Sequence, residues 1–318
     1  MTRPFRFIAP MPRLTQPIER WRGALRRIED LGFSTVCVSE HLTHGWTMEP
    51  LTVMTAAADA TTTLRVLSLV LSNDFRHPVL LHKAIATLDV LSRGRVELGI
   101  GAGWLEDDYV AAGFHLDPPH TRIERLAESV EVIRGLFGPS PVSFQGRHYR
   151  IAGLEGLPKP VQQPHPPFMI GGGGPRILAL AATNADIVGV HARLPEGSLS
   201  AAAAADLGAE RISAKVRWVR EAARAAGRPD DAIELQFSAY LVRVSDSRPD
   251  ASASTSSFAG LLGADPELLA GSPAVLAGSV AACVEALQER RERYGFSYWH
   301  LGADLEAVAP IVARLAGT

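Results

Sequence analysis

The residues best suited to chemistry in this sequence lie where predicted strands end. Glu40 and His41 follow the second predicted strand, and His191 follows the sixth. A histidine at such a position can donate or accept a proton near neutral pH, or hydrogen-bond a bound ring. A single histidine is also a common structural residue, so the residues alone leave both interpretations open.

Four consecutive glycines, 171–174, follow the fifth predicted strand and precede Pro175 and a predicted helix. Backbone amides at a helix N-terminus, with the helix dipole behind them, favour a phosphate by about 0.3 to 1 kcal/mol at an exposed site. A turn that needs glycine only for its backbone angles is the alternative. The run therefore predicts a phosphate-binding loop, with the plain turn left open.

A second glycine-rich segment, Gly99-Ile100-Gly101-Ala102-Gly103-Trp104, ends the fourth predicted strand. Its third glycine comes one position early for a dinucleotide fingerprint, and the acidic residue expected about 20 positions later is missing. Closely spaced glycines at a strand end allow a flat ring to approach bare backbone. Tight packing of the chain itself explains them equally well.

Metal and covalent chemistry find little support. His41 and His44 are not accompanied by a set of further ligands, so they do not predict a metal site. The sequence has no Gly-x-Ser-x-Gly segment, and neither Cys37 nor Cys283 follows a predicted strand. A metal-dependent hydrolase is kept only as an alternative.

Alternating strands and helices position these residues. The predicted strands cover residues 7–9, 34–39, 64–72, 96–100, 168–170, 187–190, 233–244 and 297–301. The predicted helices cover residues 18–31, 50–60, 78–91, 121–137, 176–184, 211–226 and 280–294. This alternation predicts an α/β fold, a (β/α)8 TIM barrel in one domain over residues 1–318.

Two stretches interrupt the alternation. Residues 138–166 are rich in Pro and Gly, and we interpret them as an insertion across the barrel mouth. Residues 245–273 are low in apolar side chains, which predicts a mobile insertion. Function in a TIM barrel belongs at the carboxyl ends of the strands, which is where the residues above lie.

Composition narrows the partners. The 318 residues carry 32 Lys and Arg against 34 Asp and Glu, a net charge of −2, so nothing indicates DNA, RNA or an anionic membrane. No apolar stretch reaches the roughly 20 residues of a membrane span, and none at the N-terminus has signal-peptide length. Two cysteines cannot build a disulfide framework. We therefore expect a cytoplasmic protein that acts on small molecules.

In combination these segments resemble the luciferase-like monooxygenase superfamily, and within it the branch that uses the deazaflavin coenzyme F420. The resemblance covers nearly the whole chain. It rests on Val38-Ser39-Glu40-His41 and on residues 72–78 (SNDFRHP), 95–104 (RVELGIGAGW) and 167–175 (PFMIGGGGP). It implies an oxidoreductase in which the glycines after strand five hold the cofactor phosphate and the ends of strands two to four hold the ring.

The resemblance also implies roles for individual residues. His41, as proton donor or hydrogen-bonding partner, and Trp46 would line the substrate side of the ring, and a non-proline cis peptide would join Leu69 to Val70. The residues expected to be catalytic are Glu40, His41 and Trp104. Those expected to bind the cofactor are Leu69, Val70, Ser72, Asn73, Gly101, Gly103, Asp107, Gly171, Gly172, Gly173, Gly174 and Val190. Those expected to line the substrate pocket are Trp46, His77 and His191.

Trp104 departs from the pattern of the sugar-phosphate dehydrogenase of this superfamily, which has a glutamate there. The departure speaks against a sugar phosphate and favours a flat or apolar substrate. It leaves the catalytic acid to be chosen among Glu106, Asp107 and His77.

Two further functions stay open beside F420-dependent hydride transfer. One is an FMN-dependent monooxygenase, and the other is a flavin-binding homologue without turnover. The resemblance further implies a flavin or F420 reductase as electron source, and a homodimer.

Overall fold

A computed structural model describes residues 3–15, 17–193, 200–269 and 271–318. The strands are β1 (Arg6–Pro10), β2 (Thr35–Val38), β3 (Arg65–Ser68), β4 (Leu71–Ser72), β5 (Val96–Gly101), β6 (Val142–Gln145), β7 (Arg150–Leu154), β8 (Phe168–Gly172), β9 (Ile187–Val190), β10 (Glu234–Ser238), β11 (Leu241–Val244), β12 (Val275–Gly278) and β13 (Phe296–His300). The helices are α1 (Ile18–Asp30), α2 (Pro50–Ala60), α3 (Pro78–Leu91), α4 (Glu106–Ala112), α5 (Pro119–Phe137), α6 (Pro175–Asn184), α7 (Ala201–Asp206), α8 (Ala209–Ala225), α9 (Arg248–Leu261), α10 (Pro266–Leu269), α11 (Val280–Tyr294) and α12 (Leu305–Leu315).

The main sheet has the strand order β3-β2-β1-β13-β10-β9-β8-β5-β4, and β3 also pairs with β5. Neighbours such as β1 with β13 and β5 with β8 run parallel. Parallel strands joined through helices are the pattern of the (β/α)8 fold, so the predicted fold class is confirmed.

The chain divides into two compact units. Unit 1 comprises the described residues of Met1–Pro12, Arg26–Val36 and Gly171–Thr318, and unit 2 comprises those of Arg13–Leu25 and Cys37–Ile170. That the chain is one domain stays a prediction.

Unit 2 is built on β5, in which every residue is buried. Glu97 lies in this strand and is paired with Arg65, whose Nε donates to the carboxylate at 2.6 Å. The predicted strand 64–72 is interrupted, because β3 ends at Ser68 and β4 begins at Leu71. The bond between them, Leu69-Val70, is a non-proline cis peptide, as the resemblance implies.

Unit 1 has an aromatic core at β10 and β13. The ring centroids of Phe237 and Phe296 lie 4.9 Å apart, and the Trp299 ring lies 5.7 Å from each. The Tyr298 hydroxyl donates to Thr35 Oγ1 at 2.8 Å, which ties the last strand to β2 within this unit. Aromatic rings bury large apolar areas, so this cluster carries much of the packing of unit 1.

The structure corrects the predicted strand 233–244. β10 ends at Ser238, and the following strand β11 pairs with β12 in a separate two-stranded sheet, with Leu241 opposite Val275. Continuous hydrophobicity cannot show where a chain leaves one sheet for another, because both strands are partly buried.

The stretch 245–273 contains helices α9 and α10, which the sequence analysis does not predict; residue 270 falls outside the described residues. The predicted mobility of this stretch is untested. Ser247 caps α9 by accepting the Asp250 N–H at 3.3 Å, and a proline lies in the first turn. Low apolar content concealed a helix made largely of alanine and serine.

The insertion 138–166 contains an antiparallel hairpin of β6 and β7, with Phe144 opposite Ile151. The Glu128 carboxylate on α5 accepts the backbone N–H groups of Arg147, His148 and Tyr149, which fixes the hairpin within unit 2. Its position across a barrel mouth stays a prediction.

We predict that α9 is protected from hydrogen exchange and that its cap matters. Ser247→Ala removes the cap and is expected to cost about 1 kcal/mol, which corresponds to roughly fivefold faster exchange in the first turns. Ser256→Ala, at an exposed interior position of the same helix, is the control and is expected to leave exchange unchanged or slower. Fast exchange throughout α9 in the wild-type protein would show a mobile stretch after all.

Candidate active site

In unit 2, Glu40 joins the end of β2 to β4. Its carboxylate is buried, accepts the Ser72 N–H at 2.8 Å and pairs with Arg76, which also reaches Glu49 at 2.7 Å. Burial raises the pKa of Glu40, although Arg76 opposes the rise. Both carboxylate oxygens have protein partners, so the contacts describe a residue that fixes the site, and its predicted catalytic role is untested.

His41, the next residue, is paired with Asp108 on α4. Its Nδ1 lies 2.7 Å from Asp108 Oδ2, and only 3% of the aspartate side chain is exposed. The other oxygen, Oδ1, accepts the N–H groups of Leu42 and Thr43, both at 2.9 Å, and the Thr43 hydroxyl at 2.6 Å. One carboxylate therefore holds both the imidazole and the chain that follows it.

Two tryptophans flank the imidazole. The Trp46 ring centroid lies 5.1 Å from that of His41, and the Trp104 centroid lies 5.4 Å away in an edge-on arrangement. The tryptophans are 48% and 41% exposed, whereas the side chain of His41 is 14% exposed. The imidazole of His41 is therefore held by the buried carboxylate of Asp108 and bordered by an aromatic rim, which consists of Trp46 and Trp104.

Sequence reasoning missed Asp108 and selected its neighbour Asp107. The structure pairs Asp107 with His44 at 2.8 Å, and both side chains are more than half exposed. Three acidic residues open α4, so the only signal was their run at 106–108. Which of the three points inward depends on the rotation of a seven-residue helix, and a helix this short gives no periodic pattern to fix that rotation.

The glycines of β5 and its loop are required by close packing within unit 2. A Cβ atom on Gly99 would lie 1.8 Å from Ser68 O, and one on Gly101 would lie 2.9 Å from a methyl group of Val70. Gly103 has a φ of +72°, and a Cβ there would lie 1.9 Å from the Tyr109 hydroxyl. These distances favour the packing explanation that the sequence left open.

Tyr109 on α4 makes polar contacts with β4 and with the residues that follow it. Tyr109 donates to Asp74 at 3.0 Å, and its hydroxyl lies 3.3 Å from Ser72 Oγ. Burial raises the pKa of Tyr109 to about 12, so the phenol stays protonated. Arg122 donates to the carbonyl oxygens of Ala102 and Gly103 and thereby holds the loop from α5.

Asn73 and His77 were both predicted site residues. Asn73 is buried and donates to the Tyr149 hydroxyl at 3.3 Å, while its Oδ1 has no hydrogen-bond partner among the described residues. His77 caps α3 by accepting the Val79 N–H at 3.3 Å, and its ring meets Tyr149 edge-on. The cap gives His77 a structural task, and its place in a substrate pocket stays a prediction.

In unit 1, the four glycines lead from β8 into α6. None of the four has a positive φ, so their backbone angles do not require glycine. This removes the basis for a turn that needs glycine only for its backbone angles. A Cβ on Gly172 would lie 2.3 Å from Ile177, and one on Gly173 would lie 2.5 Å from the Ala192 backbone. Gly174 is the N-cap of α6, has no side-chain cap and has open space at its Cβ position.

Unit 1 also has buried polar residues near the end of β9. Val190, the last residue of this strand, is fully buried. Lys215 is buried, pairs with Asp206 and donates to His191 O at 2.7 Å. Burial, aided by Lys215 and His300, lowers the pKa of His191 to about 4, and burial lowers that of His300 to about 4 as well. Both imidazoles are therefore neutral at pH 7, and the pocket role of His191 is untested.

Within residues 3–15, 17–193, 200–269 and 271–318, no group of three or more His, Cys, Asp or Glu side chains has an arrangement that would hold a metal ion. Over the same residues, the helices are too short or too polar to span a bilayer.

The sequence model of the luciferase-like monooxygenase family matches residues 5–297. An F420-dependent glucose-6-phosphate dehydrogenase of Amycolatopsis mediterranei is 32% identical over 167 residues, which are 50% of this chain and 49% of that protein. An FMNH(2)-dependent dimethylsulfone monooxygenase of Pseudomonas putida is 26% identical over 223 residues, 70% of this chain and 56% of that protein. The chain thus spans about half the length of these relatives.

Among solved structures, the F420-dependent tetrahydromethanopterin reductase of Methanopyrus kandleri superposes with a TM-score of 0.75 at 19% identity. The match covers 98% of this chain and 97% of that one. At this identity the likeness shows the fold alone.

We predict that Gly103→Ala destabilises the protein by more than Gly113→Ala. Both residues have φ near +70°, but no atom of the described residues lies within 4 Å of a Cβ at Gly113. The control therefore isolates the backbone term, about 1 to 2 kcal/mol, and Gly103→Ala adds the clash with Tyr109. Urea unfolding of both variants measures the difference, and equal losses would contradict the packing explanation.

A second prediction concerns acid stability. A histidine whose pKa is lowered in the folded state is protonated in the unfolded chain at a higher pH than in the folded protein. The free energy of unfolding therefore falls as the pH drops from about 6.5 to about 4. His300→Gln is expected to remove up to one proton from this dependence, about 1.4 kcal/mol per pH unit.

Denaturant unfolding over this pH range provides the measurement. His115→Gln is the control, because the His115 side chain is 85% exposed. A pH slope that His300→Gln leaves unaltered would mean that the pKa of His300 is not lowered in the folded protein.

Proposed function

The chain belongs to the luciferase-like monooxygenase family, and we propose that within it the chain is an F420-dependent oxidoreductase, which moves a hydride between the deazaflavin and a small organic substrate. The relatives named above include F420-dependent and FMNH(2)-dependent enzymes, so the coenzyme has to be argued from the site. The observation that carries the proposal is the His41–Asp108 pair between two exposed tryptophans.

Hydride transfer to a carbonyl, or from an alcohol, needs a group that gives or takes the hydroxyl proton. When bound, the coenzyme supplies the carbon that carries the hydride. His41 is suited to give or take this proton, since Asp108 holds its Nδ1 and no described residue hydrogen-bonds its Nε2. General acid–base help of this kind typically contributes about 10²- to 10⁴-fold in rate.

The residues of unit 2 fit the ring of such a coenzyme. Asn73 Oδ1 is buried and has no hydrogen-bond partner in the described part of the chain, and a buried acceptor of this kind calls for a donor. The pyrimidine edge of flavins and deazaflavins offers an N–H of the right kind. Asn73 would hold that edge, while the tryptophans would exclude water from the substrate.

The glycine run of unit 1 fits a phosphate on its own evidence. The first amides of α6 are not capped by a side chain, and Gly174 has open space beside it. An anion gains there from the amides and from the helix dipole. We keep phosphate binding by Gly171, Gly172, Gly173 and Gly174 as a proposal.

The aromatic rim supports an apolar or flat substrate. Trp46 and Trp104 expose close to half of their surface beside His41, and exposed aromatic surface of this kind is a common feature of binding sites. Arg76 is paired with Glu40 and Glu49, which leaves it poorly suited to a substrate phosphate.

An FMN-dependent monooxygenase is the second candidate. The observation in its favour is the match to the dimethylsulfone monooxygenase, which covers 70% of this chain. A partner reductase, a homodimer and a cytoplasmic location stay predictions.

Titration of the purified protein with F420 and with FMN tests the proposal. We expect F420 to bind with a Kd in the micromolar range and FMN at least about tenfold more weakly. Tight binding of FMN without binding of F420 would reverse the two candidates.

Turnover is tested with a panel of small apolar alcohols and carbonyl compounds and reduced or oxidised F420. His41→Gln is expected to bind F420 within about threefold of the wild type and to lose at least about a hundredfold in hydride transfer. Binding without turnover on any member of the panel would favour the flavin-binding homologue.

A further inference from the structure

The contacts of Asp108 decide which nitrogen of His41 carries the proton. We infer that Asp108 is a positioning residue, which holds His41 in the tautomer protonated at Nδ1 and so presents Nε2 as a proton acceptor. What this acceptor does for a substrate rests on the proposed function, but the tautomer itself does not.

The two oxygens of Asp108 have different tasks. Oδ1 accepts from the N–H groups of Leu42 and Thr43 and from the Thr43 hydroxyl, which uses its capacity. Oδ2 faces His41 Nδ1 at 2.7 Å. Because three donors fix Oδ1, the carboxylate cannot rotate away from the imidazole without losing its hold on the loop.

The charge of Asp108 determines the direction of the hydrogen bond to His41. Burial raises the pKa of this carboxyl, but hydrogen bonds from Thr43, His41 and Leu42 outweigh the rise, so the pKa lies below its ordinary value. An ionised carboxylate only accepts hydrogen bonds. His41 Nδ1 must therefore be the donor, and in the neutral ring Nε2 then carries the lone pair.

The surroundings keep the imidazole in this orientation. Trp104 meets the ring edge-on with an interplanar angle of 81°, and Trp46 lies on it at 48°. A ring flip would exchange Nδ1 for a carbon atom opposite a buried charge, which would leave Asp108 without one of its charge-assisted hydrogen bonds. Nε2 is consequently held in one place as an acceptor.

Asp108→Asn tests this arrangement with little change in shape. The three donors on Oδ1 keep the amide oxygen in its place, so the amide NH₂ group replaces Oδ2 opposite His41. That group can only donate, and Nδ1 must become an acceptor. The proton moves to Nε2, which is the effect known for the equivalent change in serine protease triads.

Nitrogen-15 NMR of labelled protein reads the tautomer from the shifts of Nδ1 and Nε2, with the signals of His41 assigned by their loss in His41→Gln. At about pH 8, where a free imidazole is neutral, we expect Nδ1–H in the wild type and Nε2–H in Asp108→Asn. Asp107→Asn is the matched control, since it changes the adjacent carboxylate, which contacts His44 instead. It is expected to leave the signals of His41 unchanged.

Thr43→Val provides the structural control. It removes one donor from Oδ1 and leaves the contact between Asp108 and His41, so the wild-type tautomer should persist. An Nε2–H tautomer in the wild type overturns the inference. An unchanged Nδ1–H tautomer in a folded Asp108→Asn variant overturns it as well.

Kinetics separate this inference from the proposed function. With a substrate found by the panel, Asp108→Asn is expected to lower kcat at least about a hundredfold with KM within about threefold. If the tautomer changes as expected but the wild type transfers no hydride, the proposed function fails and the positioning role of Asp108 stands.

Discussion

The buried carboxylate of Asp108 is the contact on which the rest of the candidate site depends. It accepts two backbone N–H groups, one hydroxyl and one imidazole nitrogen. Burying a charge is costly unless it is hydrogen-bonded, and four donors around one carboxylate offset that cost. The same bonds fix the chain after β2, so the position of His41 and the shape of its loop are a single property of the structure.

Other parts of unit 2 repeat the same device. Glu40 ties the end of β2 to β4 through the Ser72 N–H and Arg76, and Arg122 grips two carbonyl oxygens of the loop after β5. Loops bear few apolar side chains, so buried ionic groups supply the rigidity that the core supplies to strands. A rigid loop keeps a proton-transferring side chain in its reactive geometry before the substrate binds, so the substrate does not have to order it.

The alternation of strands and helices in the sequence predicted most of this fold. The helices Pro78–Leu91 and Val280–Tyr294 have the bounds that the sequence predicts. The departure of β11 to another sheet was not predictable, because it depends on a distant partner strand. Helix α9 was not predictable either, because it is only weakly apolar. The break between β3 and β4 lies at the Leu69-Val70 cis peptide that the resemblance implies. In the site, the position of His41 after a predicted strand marks it as a candidate residue. The sequence does not distinguish Asp108 from Asp107, because that choice depends on the rotation of α4 about its axis. A glycine in the sequence likewise does not show why glycine is needed at that position. Gly103 is needed for close packing, whereas Gly174 has open space beside it.

Neutron diffraction from a crystal of the deuterium-exchanged protein locates the hydrogen atoms between His41 and Asp108. We expect a deuterium on Nδ1 that points to Oδ2 and a carboxylate that carries none. A deuterium on Asp108, or an imidazole deuterated only at Nε2, would overturn the assigned role of Asp108.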